Sequence, residues 1–292
     1  MSLYTITHQT EYTYEEDVIL GHNQILMTPP SNERQTCFSH DTLIEPVPDC
    51  FRSRVDYFGN DTRYFSIERP HRYLTITAIS RVQTAPMRNV NYDDSPPWEK
   101  VAASIQETAD IPRIECSLPS HFTPLQSQAA AQEIFQRCFP PGRPVLRGAL
   151  DLALLIKREF IYDTKATNIL TPLARVLRTR RGVCQDFTHL CLALLRSLGL
   201  PARYVSGYIE TFAPPGQPKL QGSDASHAWF SIYVPDQGWF DFDPTNGQAR
   251  TEQYIETATG RDYADVAPLK GILFGGGTNT MKVAVDVLPA SN

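Results

Sequence analysis

Near Pro97 the period of the hydrophobic pattern changes, and that change divides the chain into two kinds of structure. Before it, apolar and polar residues alternate. Tyr4, Ile6, His8, Thr10, Tyr12 and Tyr14 share one parity, which places them on one face of a strand. Shorter runs of the same kind follow at 18–27, 36–44 and 73–82. Residues 54–58 and 64–68 flank Gly59-Asn60-Asp61, where Gly and Asn tolerate the positive φ of a tight turn, so the spacing predicts a hairpin. Several strands parted by Pro- and Asp-rich turns predict an antiparallel β-sandwich over residues 1–90.

From Pro97 onward the apolar residues recur at three- and four-residue spacing, over 98–107, 124–139 and 145–160. In the last of these, Leu146, Leu150, Ala153, Leu154 and Ile156 mark the buried stripe. A further helix over 184–198 is stopped by Gly199 and Pro201. Strands resume at 203–210, 226–234 and 239–243, with a Pro- and Gly-rich stretch at 212–224 that reads as an exposed loop. A closing strand at 281–288, after Gly275-Gly-Gly277, is able to join either sheet. The chain of 292 residues therefore divides into a first domain over 1–90 and an α+β core over 91–292.

A formal net charge of -5 gives no basis for nucleic-acid or anionic-membrane partners. The one basic cluster, Arg175 to Arg181, reads as a solvated helix end or a pocket rim. No apolar run approaches the roughly 20 residues that span a bilayer. The first residues lead straight into a strand pattern without a basic or apolar leader, so the expected compartment is the cytoplasm. The six cysteines are too sparse for a disulfide scaffold, and without a C-x-x-C pair they predict no structural zinc. No His/Asp/Glu cluster has ligand spacing, so no metal or other cofactor is expected. The oligomeric state is left open.

Three segments carry chemistry. In Arg181-Gly-Val-Cys184-Gln-Asp-Phe187, the cysteine opens a strongly amphipathic helix anchored by Phe187, Cys191, Leu194, Leu195 and Leu198. A helix start favours negative charge and presents unsatisfied N–H groups, which suits a thiolate and an oxyanion alike. Ser226-His227-Ala-Trp229 puts a histidine at the start of a strand, directly after the Pro/Gly-rich stretch. Gly238-Trp-Phe-Asp-Phe-Asp243-Pro-Thr-Asn246 returns beside that strand, so Asp243 can accept the proton on the far imidazole nitrogen. Asp241 shares the same strand face and is the rival for that role.

The order Cys on a helix, His on a strand, Asp on the adjoining strand, with G-V-C-Q-D-F, S-H-A-W and G-W-F-D-F-D-P-T, resembles the bacterial transglutaminase-like superfamily. The N-terminal β-rich segment and G-R-D-Y-A-D-V at 260–266 extend the likeness over nearly the whole chain. The resemblance implies a papain-like core in which a nucleophile helix packs on an antiparallel sheet. It implies Cys184 as nucleophile, His227 as general base and acid, and Asp243 as orienting carboxylate, with no metal. The reaction implied is attack on a peptide or carboxamide carbonyl through an acyl-thioester, ending in hydrolysis or transamidation of a peptide or protein substrate. Tyr162, Gln185 and Trp229 are candidates for the substrate pocket, as are Arg261, Asp262 and Tyr263 by resemblance. His189, five positions after Cys184, points to a different helix face and reads as structural or as a hydrogen-bond donor behind the site. The alternative from another class is a catalytically silent peptide-binding module on the same fold.

Overall fold

A computed structural model describes residues 1–124, 129–211, 222, 224 and 226–290. Leu3–Ile25 form one strand, β1, where the alternation reads as two runs; its ladder shifts register between Thr13 and Val18 without ending. β2 (Gln35–Glu45), β3 (Cys50–Val55), β4 (Asp61–Ile67) and β5 (His71–Thr84) follow. The hairpin expected around Gly59 joins β3 to β4: Gly59 adopts φ +86°, and the Asp56 carboxylate accepts from the N–H groups of Phe58 and Asn60.

The helical part comprises α1 (Trp98–Glu107), α2 (Ile111–Glu115), α3 (Ala129–Cys138) and α4 (Val145–Glu159). Then come β6 (Ile161–Tyr162), α5 (Leu173–Thr179), β7 (Arg181–Gly182) and α6 (Cys184–Ser197). The basic cluster thus straddles the end of α5, where Arg180 pairs with Glu159 and Arg181 with Asp163. β8 (Ala202–Ile209), β9 (Ser226–Val234), β10 (Gly238–Asp243), β11 (Gln248–Ala249) and β12 (Tyr254–Gly260) precede α7 (Tyr263–Val266), β13 (Leu269–Gly275) and β14 (Asn279–Pro289). The expected loop at 212–224 lies, apart from Gly222 and Asp224, outside the described residues.

The architecture is α+β. Strands β8 to β12 form a five-stranded sheet in the order β11-β10-β9-β8-β12, with all its pairings antiparallel. On one face of it Ala228, Phe230, Ile232 and Val234 alternate into a core shared with α4, α5 and α6. α6 is enclosed more completely than an amphipathic pattern predicts, since every residue from Asp186 to Arg196 is buried. Asp186, His189 and Arg196 are inside with hydrogen-bond partners. Arg196, for example, donates to the carbonyls of Cys116, Ala202 and Arg261 and to the Thr123 hydroxyl.

The other sheet has seven strands and is built on β1, which pairs with β4 and β5. The closing segment returns to it: β13 and β14 both pair antiparallel with β1, the latter from Tyr4↔Pro289 to Tyr14↔Asn279. β12, at the border of the five-stranded sheet, is met by two side-chain amides from the first sheet. Gln35 donates to the Glu256 carbonyl and accepts from its N–H, both at 2.8 Å. Asn60 does the same for the carbonyl and N–H of Thr259, again at 2.8 Å. Each amide presents the donor–acceptor pair that a further strand would present.

Candidate active site

The start of α6 is set by a carboxylate three residues in. Asp186 accepts from the N–H of Val183 at 2.9 Å and from the Thr167 hydroxyl at 2.6 Å, which closes half of a capping box around Cys184. Gly182 is needed for this, because a Cβ there would sit 2.8 Å from the Asp186 Oδ2. β6 runs parallel to β7, with Tyr162 opposite Gly182, so residues leading into Cys184 are fixed on both sides of the chain. Cys184 itself is half-buried, packed against the helical core.

His227 is the second residue of β9 and pairs with Gly207 of β8. A side chain at 207 would collide with the Ile255 carbonyl and the Trp229 ring, at 2.0 and 2.7 Å, so glycine permits this close stacking. His227 Nε2 lies 2.8 Å from Asp243 Oδ2. Cys184 also acts on this ring, and with Nε2 held by the carboxylate, Nδ1 is the nitrogen left to face it. Burial opposes charge on this ring. The bond to Asp243, with the action of Cys184 and the charges of both, outweighs burial and pushes the pKa up to about 10. The ring is therefore held protonated beside the Asp243 carboxylate.

Asp243 is fully sealed from solvent, and burial alone would raise its pKa. Its bonds to His227, Tyr254 and Asn246 hold it below the ordinary carboxylate range instead. The Tyr254 hydroxyl donates at 2.6 Å and the Asn246 amide at 2.6 Å, while the N–H groups of Thr245 and Asn246 donate to the other oxygen. The neighbouring carboxylate, Asp241, does not reach His227. It is engaged by Arg34 at 2.5 Å, in a buried group with Glu256 and Arg250.

The remaining sequence candidates divide. Tyr162 is half-exposed with its ring edge-on to Phe187, and burial together with the charge of Cys184 raises its pKa. Tyr263 feels Cys184 in the same way, packs against Tyr204, and donates its N–H to His189 Nε2 at 3.1 Å. Gln185 is the second residue of α6 and partly exposed. Trp229 is buried, edge-on to Tyr254 at 5.3 Å, and so supports the histidine strand from the sheet side. Arg261 pairs with Asp265 and lies over the Phe58 ring, and Asp262 caps α7 and accepts from the Phe122 N–H. These two hold the segment in place. His189 is buried and stacked on Phe122.

Tyr254 and Asn246 escape the sequence reading. Asn246 carries a local signal, since Asp-Pro-Thr-Asn places two N–H groups within reach of the first side chain. Tyr254 lies eleven residues beyond its partner and carries none.

Residues 4–83 match the bacterial transglutaminase-like N-terminal region, and residues 129–244 match the transglutaminase-like superfamily, a span that includes Cys184, His227 and Asp243. The chain belongs to the transglutaminase-like superfamily. An uncharacterized protein of Mycobacterium tuberculosis is 40% identical over 98% of this chain and 92% of its own length. A protein-glutamine gamma-glutamyltransferase of Pseudomonas aeruginosa is 31% identical over 63% of this chain, though over only 29% of that protein. A cysteine-protease candidate from Cytophaga hutchinsonii superposes with a TM-score of 0.74 at 20% identity, covering 100% of this chain and 92% of the other. The fold of that protein is thus shared along the full length. Within it, the bond from Tyr254 to Asp243 comes from beyond the superfamily match, on the strand that faces the N-terminal sheet.

Proposed function

We propose that this chain is a thiol-dependent acyl-transfer enzyme acting on peptide or carboxamide bonds, with hydrolysis as its reaction. The observation that carries this reading is the His227 ring, bonded to the buried Asp243 through Nε2 and acted on by Cys184 at the start of α6. The Cys184 thiolate adds to the carbonyl carbon, and the first-turn N–H groups of α6 receive the oxyanion. Collapse breaks the C–N bond as the His227 imidazolium gives its proton to the departing amine, leaving an acyl-thioester and a neutral imidazole. Water then attacks the thioester, its proton passing to His227. The C–S bond breaks, and acid and thiolate are released. An amine in place of water would give transamidation, which needs no different residue. Water is the acceptor always present.

The test is the rate of iodoacetamide labelling at Cys184, mapped by peptide mass, in wild type and in His227→Ala. The expected result is fast labelling at neutral pH that slows by about tenfold or more in the variant, as the thiolate loses the cationic neighbour that favours it. Equal rates in the two proteins would sink the proposal and favour a silent binding module.

A further inference from the structure

Among the described residues, the His227 backbone pairs with Gly207 of β8, while the register between β9 and β10 runs from Phe230↔Phe242 to Val234↔Gly238. Upstream, the nearest described residue before β9 is Asp224, three positions before the histidine. Asp224 is buried and is clamped to a strand of the other sheet. Its N–H donates to the Val285 carbonyl at 3.0 Å, forming an isolated antiparallel bridge to β14. Its carboxylate accepts from the Val287 N–H at 2.7 Å and from the Thr211 hydroxyl just beyond β8. Two residues earlier, the Gly222 N–H donates to Asp286 at 2.6 Å. Val285 and Val287 are themselves buried with Tyr4, Ile6, Val82, Tyr208 and Ile255, so this stretch of β14 is anchored in a core.

We infer that Asp224 is a positioning residue for the proposed chemistry: it ties the backbone entering the histidine strand to β14 and so sets where the His227 ring meets Cys184. The inference rests on the assignment of His227 as the acid–base group. Its physical basis is that a displacement of about 1 Å in a reacting group can lower a rate by about 100-fold, and a ring near a strand end inherits the position of the backbone before it. The two anchoring contacts on Asp224 are made by β14, which lies outside both matched family regions. The closing strand of the first sheet would thereby belong functionally to the site.

The experiment compares the pH profile of Cys184 labelling by iodoacetamide in wild type, Asp224→Ala, Thr211→Val and His227→Ala, with thermal unfolding of each. The expected result is a rate in Asp224→Ala at neutral pH that falls by about tenfold toward that of His227→Ala, with an altered profile. Thr211→Val, which removes one contact and no charge, should fall less and in the same direction, and it remains informative if Asp224→Ala does not fold. Wild-type profiles in both Asp224→Ala and Thr211→Val, beside a slowed His227→Ala, would overturn this inference alone. A His227→Ala protein labelled as fast as wild type would instead overturn the reading on which it rests.

Discussion

Asp243 shows how a buried charge is turned to use at the scale of one side chain. Five hydrogen bonds converge on it, from His227, Tyr254, Thr245 and twice from Asn246. Such a set keeps the carboxylate ionised where burial alone would neutralise it. The charge then holds the proton on His227 well past the ordinary histidine value of 6.5. Two outcomes follow by sign. In an NMR titration the His227 ring should remain protonated at pH 8, below its raised value, and Asp243→Asn should bring its titration down. Tyr254→Phe removes one donor to a charged acceptor, a bond worth about 1.5–3 kcal/mol. It should slow Cys184 labelling by about tenfold with little change in fold, checked by circular dichroism. The three residues named from sequence lie in segments whose meaning is local: a helix start, a strand start, a strand end. Tyr254 was illegible because its importance comes from a contact across the sheet, and nothing adjacent to it announces that contact.

Among the elements, α6 and β12 show where periodicity succeeds and fails. The start of α6 was legible from Gly182, Cys184 and the later glycine–proline stop. Its full enclosure was not, since His189 and Arg196 are buried through partners distant in sequence. β12 went unread for a related reason. All seven of its residues are buried, so Tyr-Ile-Glu-Thr-Ala-Thr-Gly shows no alternation between a wet and a dry face. β13 fails in the opposite way, with none of its residues buried. The cap on α6 supplies a test at this scale. Gly182→Ala would drive a methyl group into Asp186 and loosen its bond to Val183. The expected loss is about 1 kcal/mol in urea unfolding, typical of a helix cap, together with slower labelling of Cys184.

At the scale of the molecule, the two sheets are coupled by buried polar contacts as well as by apolar packing. Arg34, from the segment between β1 and β2, meets Asp241 at 2.5 Å and Glu256 at 3.6 Å. Arg34→Met would leave both carboxylates without that partner. The expected destabilisation is about 3–5 kcal/mol, read from the urea midpoint, as for other broken buried pairs. The change of period marks where strand gives way to helix, and the last strand was left undecided because an alternating run does not say which sheet it will complete. The amides of Gln35 and Asn60 give the coupling a further meaning. By occupying the Glu256 and Thr259 backbone groups, they stand where another protein's strand could add, and an open strand border is a template for self-association. The seven-stranded sheet therefore acts as a permanent guard on its neighbour. Cutting the chain between the halves would leave one piece without β13 and β14 and the other with a bare border, prone to growing into fibres.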